Sequence, residues 1–390
     1  MTRAGGAERE RLHETFAALC RIESPSGRER GCADWLIREL TAIGLEVQED
    51  ATGPVVGADA GNLYVRIPGA GERSGDEAGR CVLFCAHMDT VPLAGPVEPV
   101  LVDGVWENEH DAILGADNKS AVAIFVELAR RYATATAPAI GLEFVFTTSE
   151  ETSLGGSAAF DSSRLRSTYG FVFDQATPIG GVIVASPTHY RIIARLHGRA
   201  AHAGVRPEAG RSAIHAAARG IATMELGRLD EQTTANVGMI HGGSAINVVP
   251  EYCEVVAEVR SIDDARASAV ATELIDHLQD AADGGECDLD LKVEQMFQGY
   301  RHPASAPQVA IAERALTACG YTPERIVSGG ASDVNSFMVD RLPCVCLADG
   351  VQANHTSSER VSAQALEDML DVALVIVEES ARELSDGGAP

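Results

Sequence analysis

The sequence predicts an α/β protein: a three-layer αβα domain with a central, mostly parallel sheet, interrupted by a smaller two-layer α+β domain. Nearly continuous apolar runs, NLYVRI, CVLFCAHMDT, LEFVFTT and GFVFDQ, read as strands buried on both faces. Between the second and third lies DNKSAVAIFVELARRYA, with apolar residues at helical spacing. The texture then changes near residue 188 and returns near 299, so the larger domain is expected in two segments, 1–187 and 299–390, around an insertion at 188–298. A chain of 390 residues is long enough for two cores.

In chain order, residues 8–45 carry a helix-period pattern broken at IESPSGRER, where Ser24, Pro25, Ser26 and Gly27 make a turn that caps the next helix. The four strands and their intervening helix follow. The insertion opens with HYRIIARLHGRA, then a helix over GRSAIHAAARGIATM. TANVGMIHGG, AINVV and CEVVAEVRSI read as strands, followed by a helix from Asp264 to about Ala282 and a closing strand. That order describes a compact unit of about 110 residues. After Gly299 come the helix APQVAIAERALTACG, the Gly-rich SGGASDVNSF, the strand PCVCLADG and a last amphipathic helix from Ser362 to about Leu384.

Composition excludes several function classes. Hydrophobic residues make up 45% and charged residues 23%, a globular mixture, and no apolar run approaches the roughly 20 residues that span a bilayer. The N-terminal segment lacks the apolar stretch of a secretory signal, so a cytoplasmic location is expected. Nine cysteines are an odd count without a CxxC pair. Cys81, Cys85, Cys344 and Cys346 sit inside apolar runs, where a thiol acts as a small hydrophobe. The net charge of -26 repels a phosphate backbone and an anionic bilayer, which argues against nucleic acid or membrane as partners.

Open α/β sheets place their sites beyond the carboxyl ends of strands. His87 and Asp89 end one run, Asp117 precedes a helix, Glu150 and Glu151 end another, Asp174 ends a third, and His355 follows PCVCLADG. Period-two geometry puts His87 and Asp89 on one strand face, where the carboxylate can accept the second ring N–H and fix the tautomer. So many carboxylates repel one another unless a cation compensates them. Imidazole and oxygen donors without thiolate suit zinc, and also cobalt or manganese. A carboxylate can bridge two such ions about 4 Å apart, and Asp117, central in chain order, is the natural bridge. Glu150 and Glu151, being neighbours, can share a site only where their strand breaks, which the Thr, Ser and Gly after them permit.

CAHMDTVP, LGADNKSAVA, TTSEETSLGGS, GRAAHAGVRPEAGRSAIHAA, GGSAINVVPEYCEVVAEVRS and ANHTSSE, in this order, resemble the motif series of the dizinc exopeptidases related to glutamate carboxypeptidase, aminoacylase and tripeptide aminopeptidase. LGRLDEQTTANVG and SGGASDVNSF are similar to its peptidase T-like branch, and the resemblance spans about residues 20–375. It implies two Zn²⁺ per subunit, with Co²⁺ or Mn²⁺ as alternatives. His87 and Asp174 would hold one ion, Glu151 and His355 the other, with Asp117 bridging, Asp89 behind His87, Glu150 as general base, and a cis peptide bond after Asp117. The insertion would be a lid and dimerisation domain, making the protein a homodimer in which His202 of the partner subunit stabilises the oxyanion while Asn247 and Arg260 hold a substrate carboxylate or backbone.

The activity so implied is that of an aminopeptidase acting on short peptides. The alternative is an N-acyl or N-carbamoyl amino-acid amidohydrolase, and a third reading is a non-catalytic binding protein of the same fold. The chain departs from the family pattern at Asn118, where an acidic residue is common, at Ala331, and in FDQATPIGG.

Overall fold

The computed structural model describes residues 3–70, 80–134 and 137–386. The chain divides into two compact units, one of Met1–Val184, His302–Val327 and Ser332–Pro390, the other of Ala185–Arg301 and Ser328–Ala331.

In the first unit the sheet runs in the order Val47–Glu49, Leu63–Ile67, Gly141–Thr147, Cys81–His87, Tyr169–Gln175, Cys344–Ala348, Gly181–Ser186. The four strands from Gly141–Thr147 to Cys344–Ala348 are parallel, and the strands on either side join antiparallel. The sheet is therefore mixed, with a parallel centre. Every residue of Cys81–His87 and Gly141–Thr147 is buried, as strands covered on both faces require. Phe84, Phe144, Phe171 and Phe173 cluster with Phe125 of the helix Ala116–Thr134; Phe84 lies 5.3 Å and Phe173 5.1 Å from the Phe125 ring. The helices Gly6–Cys20, Pro307–Cys319 and Ala363–Asp386 add Leu12, Phe16, Ile311 and Met369 to the same core. All four parallel strands end at one sheet edge, and the polar residues identified above follow those ends.

Two features of this unit had no counterpart in the sequence reading. Gly181–Ser186 is a strand, and Pro99–Val102 with Val105–Asn108 forms a hairpin to which Arg360–Ser362 adds a third strand. The hairpin turns at Asp103 and Gly104, both with positive φ, 50° and 81°, the backbone that a two-residue Asp-Gly turn requires.

The second unit is a five-stranded antiparallel sheet in the order Gly227–Asp230, Thr233–Gly242, Tyr252–Ser261, Thr188–His197, Asp288–Phe297. One face buries Cys253, Val255, Ala257 and Val259 in alternation, against the helices Ala213–Thr223 and Asp264–Gly284. Cross-strand ion pairs such as Arg191–Glu294 and Arg195–Glu254 lie on this sheet. The long helix starts at Asp263, whose side chain accepts the N–H groups of Ala265 and Arg266. AINVV, expected as a strand, is instead a turn. Its main chain pairs locally: Val248 N–H donates to Ala245, Val249 N–H to Ala201, and Asn247 C=O accepts from Ala203, so no ladder forms.

Candidate metal centre

The strand Gly141–Thr147 ends in a break. Ser149 has φ 54°, and three successive N–H groups then point at buried carboxylates. Ser149 donates to Glu29 at 3.1 Å, and Glu150 and Glu151 donate to the two oxygens of Asp89 at 3.0 and 3.1 Å. This turn frees the glutamates from strict alternation. Asp89 also accepts the Ser26 hydroxyl at 2.6 Å. Its carboxylate lies 3.4 Å from His87 Nδ1, while its main-chain oxygen is nearer, at 2.9 Å. Asp89 therefore serves His87 chiefly through its backbone and organises the Glu150–Glu151 turn with its side chain.

Asp117 stands at the start of the helix Ala116–Thr134 with non-helical angles, and the Asp117–Asn118 peptide is cis. Asn118 is fully buried, and its amide nitrogen and oxygen have no hydrogen-bond partner among the described residues. His87 Nε2 lies 3.3 Å from Asp117 Oδ1 and 3.6 Å from Asp174 Oδ1. His355 Nε2 lies 3.0 Å from Glu151 Oε1 and 3.4 Å from Asp117 Oδ2. Donor atoms gather within 4.8 Å of one another in three groups: His87, Asp117 and Asp174; Asp117, Glu151 and His355; and His87, Glu150 and Glu151. The first two share Asp117.

The electrostatics of this edge favour added positive charge. Burial pushes the Glu150 carboxyl well up, reinforced by the charge of Asp174. Burial likewise raises Asp174, to about 8. Burial alone would lower His87, yet hydrogen bonds to Asp117, Asp174 and Asp89 outweigh it and hold the imidazole well above its ordinary value. Hydrogen bonds to Asp117 and Glu151 raise His355 to about 10. Burial opposes the charge on Asp117, but hydrogen bonds to His355 and His87 outweigh it and hold that carboxyl well below its ordinary value; two carboxyls pushed toward neutrality beside a charged one and two imidazoles pushed toward cations are what a surplus of clustered negative charge produces. A divalent ion relieves that surplus, and the donor set of imidazole nitrogen and carboxylate oxygen fits one.

Several residues that support this edge were not singled out from the sequence. Asn354 Nδ2 donates to Asp117 Oδ2 at 2.8 Å, Glu29 and Glu359 hold main-chain N–H groups, and buried Asp333 accepts from Cys85 and the Thr147 hydroxyl. The available signal was position: Asn354 and Glu359 flank His355 in ANHTSSE, and Glu29 closes SPSGRE.

His202, Asn247 and Arg260 belong to the second unit. His202 and Asn247 are exposed on adjoining loops, joined by the Ala203 N–H to Asn247 C=O bond of 2.9 Å, and His202 Nδ1 accepts from Gly204 N–H at 3.2 Å. Arg260 ends its strand over the Phe297 ring and donates to Glu258 and to the carbonyl of Gly329, each at 3.1 Å.

Residues 62–186 match a family described as peptidase family M28, and residues 189–286 match the peptidase dimerisation domain. The Bacillus subtilis protein YqjE, described as uncharacterized, is 33% identical over 96% of this chain and 99% of its own length. The structure of aminopeptidase PepT from Bacillus cereus is 34% identical with a TM-score of 0.86, covering 96% of this chain and 99% of its own. A tripeptidase structure from Staphylococcus aureus is 32% identical with a TM-score of 0.90 and the same coverage.

Proposed function

This chain belongs to the peptidase T-like family of metallopeptidases, and on that premise we propose that it is an aminopeptidase removing N-terminal residues from short peptides. It would hold two divalent cations per subunit, zinc first and cobalt or manganese as alternatives. The observation that carries this reading is the sharing of Asp117 by two donor groups, His87 with Asp174 and Glu151 with His355. Bound there, divalent cations supply the Lewis acidity that polarises an amide carbonyl and lowers the pKa of water.

Glu150 belongs to neither group that contains Asp117, yet lies among His87 and Glu151, which supports reading its carboxylate as the group that would take a proton from water and pass it to the leaving amine. Asp89 keeps Glu150 and Glu151 facing the same space through their N–H groups. His202 of the partner subunit would donate to the oxyanion, and Asn247 and Arg260 would hold the peptide backbone or its carboxylate. The peptidase dimerisation domain and the peptide-cleaving neighbours support a homodimer with a small peptide substrate. Among the described residues no helix is long and apolar enough to cross a membrane, and a cytoplasmic location is part of this reading.

The test is hydrolysis of di- and tripeptides beside N-acetylated and N-carbamoylated amino acids, by the metal-loaded wild type and Glu150→Gln. Peptide turnover is expected in the wild type, falling about 10²–10⁴-fold in the variant with metal content unchanged. Turnover of blocked substrates only overturns the aminopeptidase reading, and retained hydrolysis in the variant overturns the role of Glu150.

A further inference from the structure

We propose that Glu359 is a positioning residue of the metal centre, holding the main chain at Asp117 so that the carboxylate shared by both donor groups keeps its place relative to His355. The inference rests on the reading of Asp117 and His355 as ligands and concerns a residue that touches neither ion nor substrate.

The segment between Gln352 and Arg360 is a closed loop. Its base is a reciprocal pair of main-chain bonds, Gln352 N–H to Arg360 C=O at 2.9 Å and Arg360 N–H to Gln352 C=O at 3.1 Å. Ala353 and His355 both have positive φ, and Thr356 stitches the interior by donating to Ala353 C=O at 2.6 Å and accepting from Ser358 N–H at 3.2 Å. Three side chains of this loop converge on one short stretch. Asn354 donates to Asp117 Oδ2 at 2.8 Å, His355 lies 3.4 Å from the same oxygen, and Glu359 accepts the N–H groups of Gly115 at 2.7 Å and Asp117 at 2.9 Å.

Glu359 is only 2% exposed and, among the described residues, forms no ion pair with Lys, Arg or His. Its carboxylate is matched instead to main-chain donors, one oxygen each to Gly115 and Asp117. Asp117 is thus gripped at its side chain by Asn354 and at its backbone by Glu359, both from the loop that presents His355. The two donor groups depend on this grip unequally. His87 and Asp174 sit on the parallel strands, with the His87 side chain 1% exposed, whereas that of His355 is 48% exposed and relies on the loop alone. Loosening the grip should therefore weaken the group containing His355 more than the other. Partners that orient a ligand in this way typically contribute roughly 10–100-fold to metal affinity.

The experiment titrates chelator-stripped wild type and Glu359→Gln with Co²⁺ alone, read by calorimetry and visible absorption, and melts both stripped proteins. Gln keeps one acceptor and sets an NH₂ group against a main-chain N–H. Two Co²⁺ equivalents are expected in the wild type. In the variant one should keep its affinity within about threefold and the other weaken roughly 10–100-fold, with the stripped melting temperatures alike. Unchanged affinities for both equivalents overturn the inference while leaving the proposed function standing, as does a lower melting temperature with unchanged affinities. A wild type that takes up no Co²⁺ overturns the metal reading, and this inference with it. Should Glu359→Gln fold poorly, Asn354→Ala probes the same grip: one weakened equivalent supports it, and two unchanged equivalents overturn it.

Discussion

At the residue scale, Asp89 shows why a buried carboxylate can matter without touching substrate. Both oxygens accept main-chain N–H groups of adjacent residues, Glu150 and Glu151, and one also accepts Ser26. Asp89→Asn keeps the shape but presents an NH₂ group where an acceptor is needed, leaving a buried donor unmet at about 1–3 kcal/mol. A drop of that size in urea-unfolding stability is expected, with kcat/KM lowered roughly 10–100-fold; an unchanged value of either would count against the role. Gly156 is a second such position. A methyl there would lie 2.6 Å from Asn62 Oδ1 and nearer still to the Thr148 carbonyl oxygen, so Gly156→Ala should lose about 1–3 kcal/mol to overpacking, measured by denaturant unfolding. The structure brings together His87, Asp117, Glu150, Glu151, Asp174 and His355, which the sequence picked out because strand ends and helix starts mark where polar side chains gather. Glu29 and Glu359 were not. Each binds a main-chain N–H more than a hundred positions away, and a contact of that kind leaves no periodicity or composition to read.

At the scale of elements, the parallel strands were legible because burial on both faces leaves an unbroken apolar run, as in CVLFCAH. Pro99–Val102 and Val105–Asn108 have no such run, being half exposed, and the Asp-Gly turn between them was too short a signal to be read as a hairpin. AINVV misled because valine and isoleucine favour strands, while its main-chain partners are the neighbouring loop. The lead-in to the helix Pro307–Cys319 carries a pH-sensitive group. His302 is 8% exposed beside Gln308, and burial pushes its pKa down to about 4. Unfolding returns it to about 6.5, so between those values the unfolded chain binds the extra proton. Stability tied to the neutral ring is intact above about 6.5 and is lost as the pH falls toward 4, on the order of 3 kcal/mol in all. Chemical unfolding of His302→Gln and wild type across that range should show the variant with the shallower decline; parallel curves would exclude His302 as the source.

At the scale of the molecule, each chain carries a net charge of -26. Two such chains repel, and salt shortens the reach of that repulsion to about 10 Å at 0.1 M. The proposed dimer should therefore tighten between about 20 and 150 mM salt, a trend measurable by sedimentation; loosening over that range would mean that attractive ion pairs dominate the contact. The order of strands in the sheet carries a consequence for synthesis. Cys344–Ala348, near the end of the chain, is inserted between Tyr169–Gln175 and Gly181–Ser186, which the ribosome makes far earlier. A nascent chain that has just finished its second unit has neither that central strand nor His355, so its earlier half waits with an open seam. On the proposed reading of His355, a chain that still lacks this stretch would lack part of one donor group, and it is expected to show no peptidase activity.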